Sequence, residues 1–549
     1  MMKKVIKKLL AALLAVAMVC AMAIPAFAEN SEGDVDSHHT YSAFQIFKGD
    51  VEGNNIKDFK ISNVDWGSNI INNSDDFLNK LREADHIGPL FTNAKSAQEV
   101  LAVISQWHDS DDYSIAFARF VCHYLYSNDA NPTYVVRAGS NALTIPEAKA
   151  GYYLFVDTTD FSKDDSYHSY NSFLLMVTKG NWNVPITPKA EKPTVEKKVY
   201  DNPDGTSTGG FGSSADHAIN EKFQFQLTAT LPDSTNRAYD YYDKYSVIFH
   251  DTLSDGITYD KDDELDSVVI KSNGNTYNIT DSSKYTIDTT DLESQNSFVV
   301  NIDVKACAKD AGFDLNDGAT ITVTYTAHLN DKAYVNTAGG STSNINKVYL
   351  TYSNNPKDES SIGKTPESTP VYVYTYQLNN TKHQDTEKGP ALEGACFRLY
   401  SDEACTDQSE VQLYQKDGFY YPIKDVLGKE AVEMKSAANG TFNVKGLDAG
   451  TYYLKEITPP DGYSACKVIP VTIKADHSRN DQVNLEGSNL TNDIVNIKAG
   501  GITLPSTGGI GITLPSTGGI GTTLFYVVGG GLMVAAIVLL VTKKRMENK

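Results

Sequence analysis

Apolar and polar positions alternate along most of this chain. FQFQLTATL (223–231), YSVIFHDTL (245–253), SVVIKS (267–272), SFVVNIDV (297–304), TITVTYTAHL (320–329) and NKVYLTYS (346–353) each place every second side chain on one face. That period of two predicts half-buried strands. Turn signals separate them: DNPDG at 201–205, LSDG at 253–256 and SNGN at 272–275. A second set of strands follows at VYVYTYQLNNTK (371–382), ACFRLYS (395–401), GTFNVKGL (440–447), GTYYLKEIT (450–458) and VIPVTIK (468–474). An earlier set opens with TYSAFQIFKGD (40–50) and closes with AGYYLFVDTT (150–159) and SFLLMVTKG (172–180). Between those, Asp75–Leu81, Ala97–Trp107 and Ser114–Tyr126 carry apolar residues at helical spacing.

The pattern predicts a mainly β protein of three tandem β-sandwich domains, the first with a helical insertion. The expected domains are 29–189, 190–370 and 371–498. ESSIGKTPESTP (359–370), rich in Ser, Thr and Pro, links the second to the third.

The two ends follow other rules. Residues 1–28 start with Lys3, Lys4, Lys7 and Lys8, run apolar from Leu9 to Ile24 and finish Ala26-Phe27-Ala28. This is the form of a secretory signal peptide cut before Glu29. Residues 499–549 hold LPSTG twice: Leu504, Pro505, Ser506, Thr507, Gly508, and then Leu514, Pro515, Ser516, Thr517, Gly518. An apolar stretch follows at 524–541, about long enough to span a bilayer, and then Lys543, Lys544 and Arg545.

Charge narrows the partners. The chain carries a net −21 although both ends are basic, so the exported part is more acidic still. Such a surface repels nucleic-acid phosphate and anionic membranes; contact with membrane is expected only before sorting. Thirty-two tyrosines rule out a disordered acidic tail. Of six cysteines Cys20 lies in the leader, leaving Cys122, Cys307, Cys396, Cys405 and Cys466, an odd number whose pairing stays open. There is no Gly-x-Ser-x-Gly, HExxH, Walker loop or zinc spacing, so neither an enzyme nor a metal or other cofactor is expected. Asp201-x-x-Asp204-Gly205 and DKDDELD (260–266) read as solvated turns.

LPxTG, apolar span and basic tail in that order resemble the sorting signal of Gram-positive surface proteins. That resemblance implies cleavage between Thr and Gly by a sortase, with the Thr carbonyl passed to an amine. Thr517–Gly518, nearer the span, is the preferred cut, with Thr507–Gly508 as a duplicate. TKHQDTEKGPALEGACFRLYSDEAC (381–405), NGTFNVKGLDAGTYYLKEITPPDGYSA (439–465) and IVNIKAGG (494–501) resemble collagen-adhesin B-type immunoglobulin-like domains. GTYYLKEITPPDGY matches that family's E-box, although Ile-Thr-Pro-Pro replaces the usual Thr-x-Ala-Pro. TYSAFQIFKGD with the later WGS (66–68), and the segment ending NKVYLTYSNNP, are similar to parts of sortase-assembled shaft pilins. The resemblance covers nearly the whole chain. It implies a structural pilus backbone subunit on the Gram-positive cell wall, supporting adhesion and colonisation. Its implied partners are a pilus-assembling and a housekeeping sortase, identical subunits, accessory pilins and peptidoglycan. A monomeric wall-anchored adhesin is the alternative.

Two kinds of amide bond follow. A lysine buried in an apolar core loses its preference for charge, and a neutral amine is a nucleophile. Facing an Asn carboxamide, it can form an isopeptide bond and release ammonia, helped by a buried carboxylic acid. The resemblance assigns these roles to Lys382, Asn496 and Glu456. Glu456 shares a strand face with Tyr452 and Leu454. In the middle domain Val195, Lys197 and Val199 share a face, making Lys197 the inward lysine. Resemblance gives Asp251 as the acid, and the preferred partner is Asn346, which opens the last strand NKVYLTYS, with Asn336 in YVNTAGG as the competitor. Asp157 lies six residues after Gly151, as Glu456 does after Gly450, and Lys48 lies in the opening strand; a shared hairpin is the favoured reading over a third bond. The intermolecular bond would use Lys189 in WNVPITPK (182–189), with Lys192 as the nearest substitute. Shaft pilins carry Tyr-Pro-Lys near that junction, whereas this chain has Thr187-Pro188-Lys189.

Overall fold

The computed structural model describes residues 39–499 except 55–57, 109–110, 138–143, 147–148, 162–168, 171–172, 181, 184–191, 204–208, 235–236, 261–264, 338–339, 341, 426–427 and 480. The expected signal peptide, both LPSTG copies, the apolar span and Lys189 lie outside the described residues.

The first block is a five-stranded sheet with helices packed on it. β1 (Thr40–Glu52) lies at its centre, flanked by β2 (Lys60–Trp66), β3 (Tyr134–Arg137) and β4 (Gly151–Asp157), with β5 (Leu174–Thr178) beyond β4. The helical spacing is realised as α1 (Ser74–Glu83), α2 (Ala97–Ile104) and α3 (Asp112–Ser127). Their apolar faces bury Phe77, Leu81, Val100, Ile104, Val121 and Leu125 in one core with Phe47, Trp66 and Tyr152 from the sheet.

The middle block is two facing seven-stranded sheets. One contains β6 (Thr194–Asp201), β8 (Lys222–Leu231), β10 (Ser267–Ser272) and β12 (Ala319–Leu329). The other contains β7 (Ser214–Asp216), β9 (Ser246–Leu253), β11 (Ser297–Asp303), β13 (Asn344–Ser353) and β14 (Val371–Tyr374). Period-two patterning aims one face of each strand into the gap. Phe223, Phe225, Leu227 and Ala229 of β8 therefore meet Val247 and Phe249 of β9 in one core.

The segment 371–382 reads as one strand, but the chain changes sheets within it. β14 pairs with β13 and, in parallel, with β7, whereas β15 (Tyr376–Gln384) belongs to the third block. Thr375 sits fully buried between them, its Oγ1 donating to the Leu447 carbonyl while its own carbonyl accepts from Asn336 N. These side-chain and backbone bonds satisfy the corner locally, a signal that alternation cannot carry.

In the third block one sheet holds β15, β17 (Val444–Leu447) and β20 (Thr491–Asn496). The other holds β16 (Cys396–Tyr400), β18 (Gly450–Thr458) and β19 (Ile469–Ile473). First and last strands lie side by side: β15 and β20 pair in parallel from Asn379–Thr491 to Gln384–Asn496. The middle and third blocks meet closely. Ile219 N donates to the Gly446 carbonyl and Asn220 Nδ2 to that of Pro422. Gly446 has φ +81°, and a Cβ there would come within 2.5 Å of the Ile219 side chain. A β-carbon there is opposed both by the backbone conformation and by the neighbour.

Candidate functional site

Lys382, Glu456 and Asn496 come together inside the third block. Alternation in β15 turns Lys382 inward with Tyr376, Leu378 and Asn380; β18 turns Glu456 inward with Tyr452 and Leu454; β20 turns Asn496 inward with Ile494. The Lys382 and Glu456 side chains are fully shielded from solvent. Lys382 Nζ donates to Asn496 Oδ1 at 2.5 Å and stands 3.8 Å from Glu456 Oε1. Asn496 Nδ2 donates to Glu456 Oε1 at 2.7 Å. The amine thus faces the amide carbonyl, while the acid faces the amide nitrogen. Lys382 Nζ lies 5.2 Å from the centre of the Phe397 ring, which stacks on Phe442. Burial lowers the Lys382 pKa, against the pull of Cys466 and Glu456. Cys466 is a neighbour the sequence does not flag: its backbone N–H donates to Glu456 Oε2 at 2.7 Å and fixes the carboxyl orientation.

Lys197, Asp251 and Asn346 also converge, across the gap between the middle block's sheets. β6 presents Lys197 from one sheet; β9 and β13 present Asp251 and Asn346 from the other. All three are buried. Lys197 Nζ donates to Asp251 Oδ2. Desolvation pushes the lysine down to about 8 and raises Asp251, the two charges partly offsetting the effect. The Tyr325 hydroxyl completes the cluster. It lies 3.3 Å from both Lys197 Nζ and Asp251 Oδ2, and accepts from Asn346 Nδ2 at 2.7 Å. Tyr325 shares an inward face of β12 with Ile321 and Val323. In the sequence it looks like one more core residue. Asn336, the other candidate, is engaged elsewhere: its Nδ2 donates to the Thr342 carbonyl at 2.7 Å, and its Oδ1 accepts from Thr342 N at 2.7 Å.

In the first block Lys48 and Asp157 do not meet. β1 pairs Lys48 with Gly151 and Tyr41 with Asp157, near opposite ends of the ladder. Lys48 pairs with Asp65 at 3.1 Å on the surface. Asp157 is buried against His39 Nδ1 at 2.6 Å and Thr159 Oγ1 at 2.5 Å. This fits the shared-hairpin reading.

Two groups of metal-type ligands lie where the middle and third blocks meet: Asp201, Asp216 and His477, and His217, Glu221 and Asp448. Their protein contacts are extensive. Tyr376 OH donates to Asp216 Oδ2, the His477 ring bonds Ser214 Oγ through Nδ1, the His217 ring bonds the Tyr200 carbonyl, and Glu221 accepts from Ala218 N. Burial and the neighbouring Asp216 and Glu221 push the Asp448 carboxyl up. All five described cysteines are free thiols.

Residues 378–488 match the family model for SpaA, a prealbumin-like fold domain, and residues 509–548 match the LPXTG cell wall anchor motif. No curated protein matches the chain. Among solved structures it is similar to the T6 backbone pilin of serotype M6 Streptococcus pyogenes. The identity is 17%, over 85% of this chain and 97% of that one, with a TM-score of 0.44. It is also similar to the full-length major pilin SpaD of Corynebacterium diphtheriae, at 20% identity over 64% and 80% with a TM-score of 0.38. The major pilin subunit BcpA of Bacillus cereus aligns at 16% identity over 67% and 92%, with a TM-score of 0.37. The third block is thus a SpaA-type, prealbumin-like domain, and the chain that carries it is an LPXTG-anchored protein of the bacterial cell wall.

Proposed function

We propose that this chain is the backbone subunit of a covalent cell-surface pilus, and that its β-domains are closed by self-formed amide bonds. The observation that carries this is the buried Lys382–Asn496–Glu456 arrangement within a SpaA-type domain of an LPXTG-anchored chain. Neutral Lys382 attacks the Asn496 carbonyl carbon. Glu456, at the amide nitrogen, supplies the proton with which that nitrogen leaves as ammonia and takes up the one that Lys382 Nζ sheds. Lys197, Asn346 and Asp251 carry out the same reaction in the middle block.

Sortase joins subunits by cutting after Thr517 and transferring its carbonyl to the Lys189 side chain of a neighbour. The anchor-motif match begins at residue 509, so it spans the second LPSTG copy and not the first. A housekeeping sortase then ties the polymer to peptidoglycan. The test is a denaturing gel of wall extracts: a ladder that disappears in a Lys189→Ala strain supports the polymer. A single band in the wild type would favour the monomeric adhesin.

A further inference from the structure

The two buried lysine sites differ in what stands at the amide nitrogen. In the third block it is the acid: Asn496 Nδ2 contacts Glu456 Oε1 at 2.7 Å. In the middle block Asp251 is held chiefly by the lysine, with lesser pulls from Tyr325 and the Asn346 side chain, and the Asn346 Nδ2 contact is to the Tyr325 hydroxyl at 2.7 Å. We propose that Tyr325 is a catalytic residue of the middle-block cross-link, donating the proton with which the Asn346 amide nitrogen leaves. The inference rests on the reading that Lys197 and Asn346 become joined.

The hydroxyl is placed for a relay. Its oxygen lies 3.3 Å from Asp251 Oδ2 on one side and 2.7 Å from the departing nitrogen on the other. A planar carboxamide nitrogen donates a hydrogen bond, so in the resting site Tyr325 accepts. Once the amine has added to the carbonyl carbon, that nitrogen becomes pyramidal and basic. The same oxygen–nitrogen pair can then carry a proton the other way.

The step balances without a co-reactant. Lys197 gives its extra proton to Asp251, a transfer eased by burial, which disfavours the charged form of both groups. Lys197 Nζ bonds to Asn346 Cγ. The Cγ–Nδ2 bond then breaks as Nδ2 takes the Tyr325 proton, Tyr325 takes the Asp251 proton, and Asp251 takes the proton now surplus on the new amide nitrogen. Ammonia leaves and Tyr325 returns to its starting form; Asp251 is left holding the proton that Lys197 first gave it, and regains its charge when that proton departs with the ammonia as ammonium. The ring is held for this by Phe225, Tyr259 and Phe298, with centroids 5.5, 5.4 and 5.0 Å away.

The experiment follows tryptic peptides of the full chain at intervals after a brief pulse of synthesis. It reads the branched Lys197–Asn346 peptide, one ammonia lighter than its parts, with the Lys382–Asn496 peptide as internal reference. General acid catalysis is typically worth at least 100-fold, so Tyr325→Phe should slow the middle bond at least tenfold and leave the reference unchanged. A middle bond formed at the wild-type rate in that variant overturns the role of Tyr325. Should Tyr325→Phe fail to fold, 3-fluorotyrosine at 325 keeps ring and hydroxyl while making the phenol more acidic; the bond should form faster, and an unchanged rate overturns the proposal. A wild-type chain with no branched Lys197–Asn346 peptide defeats the cross-link reading itself, a result separate from either variant.

Discussion

At the scale of single residues, function turns on what burial does to a charge. Lys382 and Lys197 are lysines that solvent does not reach, and desolvation lowers both pKa values. That is the condition for a nucleophilic amine. Glu456→Ala removes the group at the Asn496 nitrogen, so the branched Lys382–Asn496 peptide should be lost and the variant should weigh about 17 Da more, one retained ammonia, than its sequence with that bond formed would give. Intact mass would show it; a mass equal to that of the substituted chain with the bond formed would mean Glu456 is not needed. In Asn346→Ala, Lys197 stays a free amine titrating near 8 when folded and near 10.4 when unfolded. Between those values the unfolded chain binds more protons, so stability rises with pH from about 8 to about 10. Wild type, with that nitrogen in an amide, should lack this rise. Thermal unfolding across the range tests it, and equal slopes in the two chains would count against the bond. The inward direction of Lys197 and Glu456 was legible because each strand alternates with a period of two. Tyr325 and Cys466 were not. An inward tyrosine among Ile321 and Val323 has the signature of core, and Cys466 acts through its backbone N–H, which carries no residue-type signal.

At the scale of elements, each lysine sits on a strand that opens its block and each asparagine on a strand near its end. β15 and β20 lie side by side and parallel, so pulling on the chain loads this pair directly. An amide between Lys382 and Asn496 closes a loop whose ends are 114 positions apart. By analogy with a disulfide, that removes unfolded-state entropy worth roughly 4–5 kcal/mol. Asn496→Ala should therefore lower the melting temperature of this block by at least about 10 °C and expose it to trypsin; an unshifted transition would refute the stabilising role. The longer alternating strands and the three helices were readable in the sequence to within a few residues, because long periodic segments report their own period; shorter strands such as Lys60–Trp66, Tyr134–Arg137 and Thr491–Asn496 were not. The change of sheets at Thr375 was not, since Val371–Lys382 reads as one run of strand-forming residues with no turn signal, while its partners lie at 214–216, 344–346 and 444–447.

At the scale of the whole molecule, a shaft must transmit force from one block to the next as well as within each. The junction between the middle and third blocks is built for close approach. Ile219 N bonds the Gly446 carbonyl, Lys222 N bonds Asp425 Oδ2, and Tyr414 and Tyr421 of the third block pack into the middle core. Gly446 is its tightest point, because a Cβ would meet three Ile219 side-chain carbons at 2.5–2.7 Å on a backbone at φ +81°. Relief requires Ile219 to move, and Ile219 is fully buried. Overpacking of this kind costs about 1–3 kcal/mol. The cost falls on the junction, since both proposed cross-links are remote from Gly446 in sequence and each lies within its own block. Gly446→Ala should leave both branched peptides at wild-type yield yet loosen the contact between blocks. Amide exchange should then rise at Ile219 and Lys222 while the rest of β8, from Phe223 to Leu231, and β18 stay protected. If protection at Ile219 and Lys222 is unchanged, the junction does not depend on this glycine; if a branched peptide is lost as well, the blocks do not close independently.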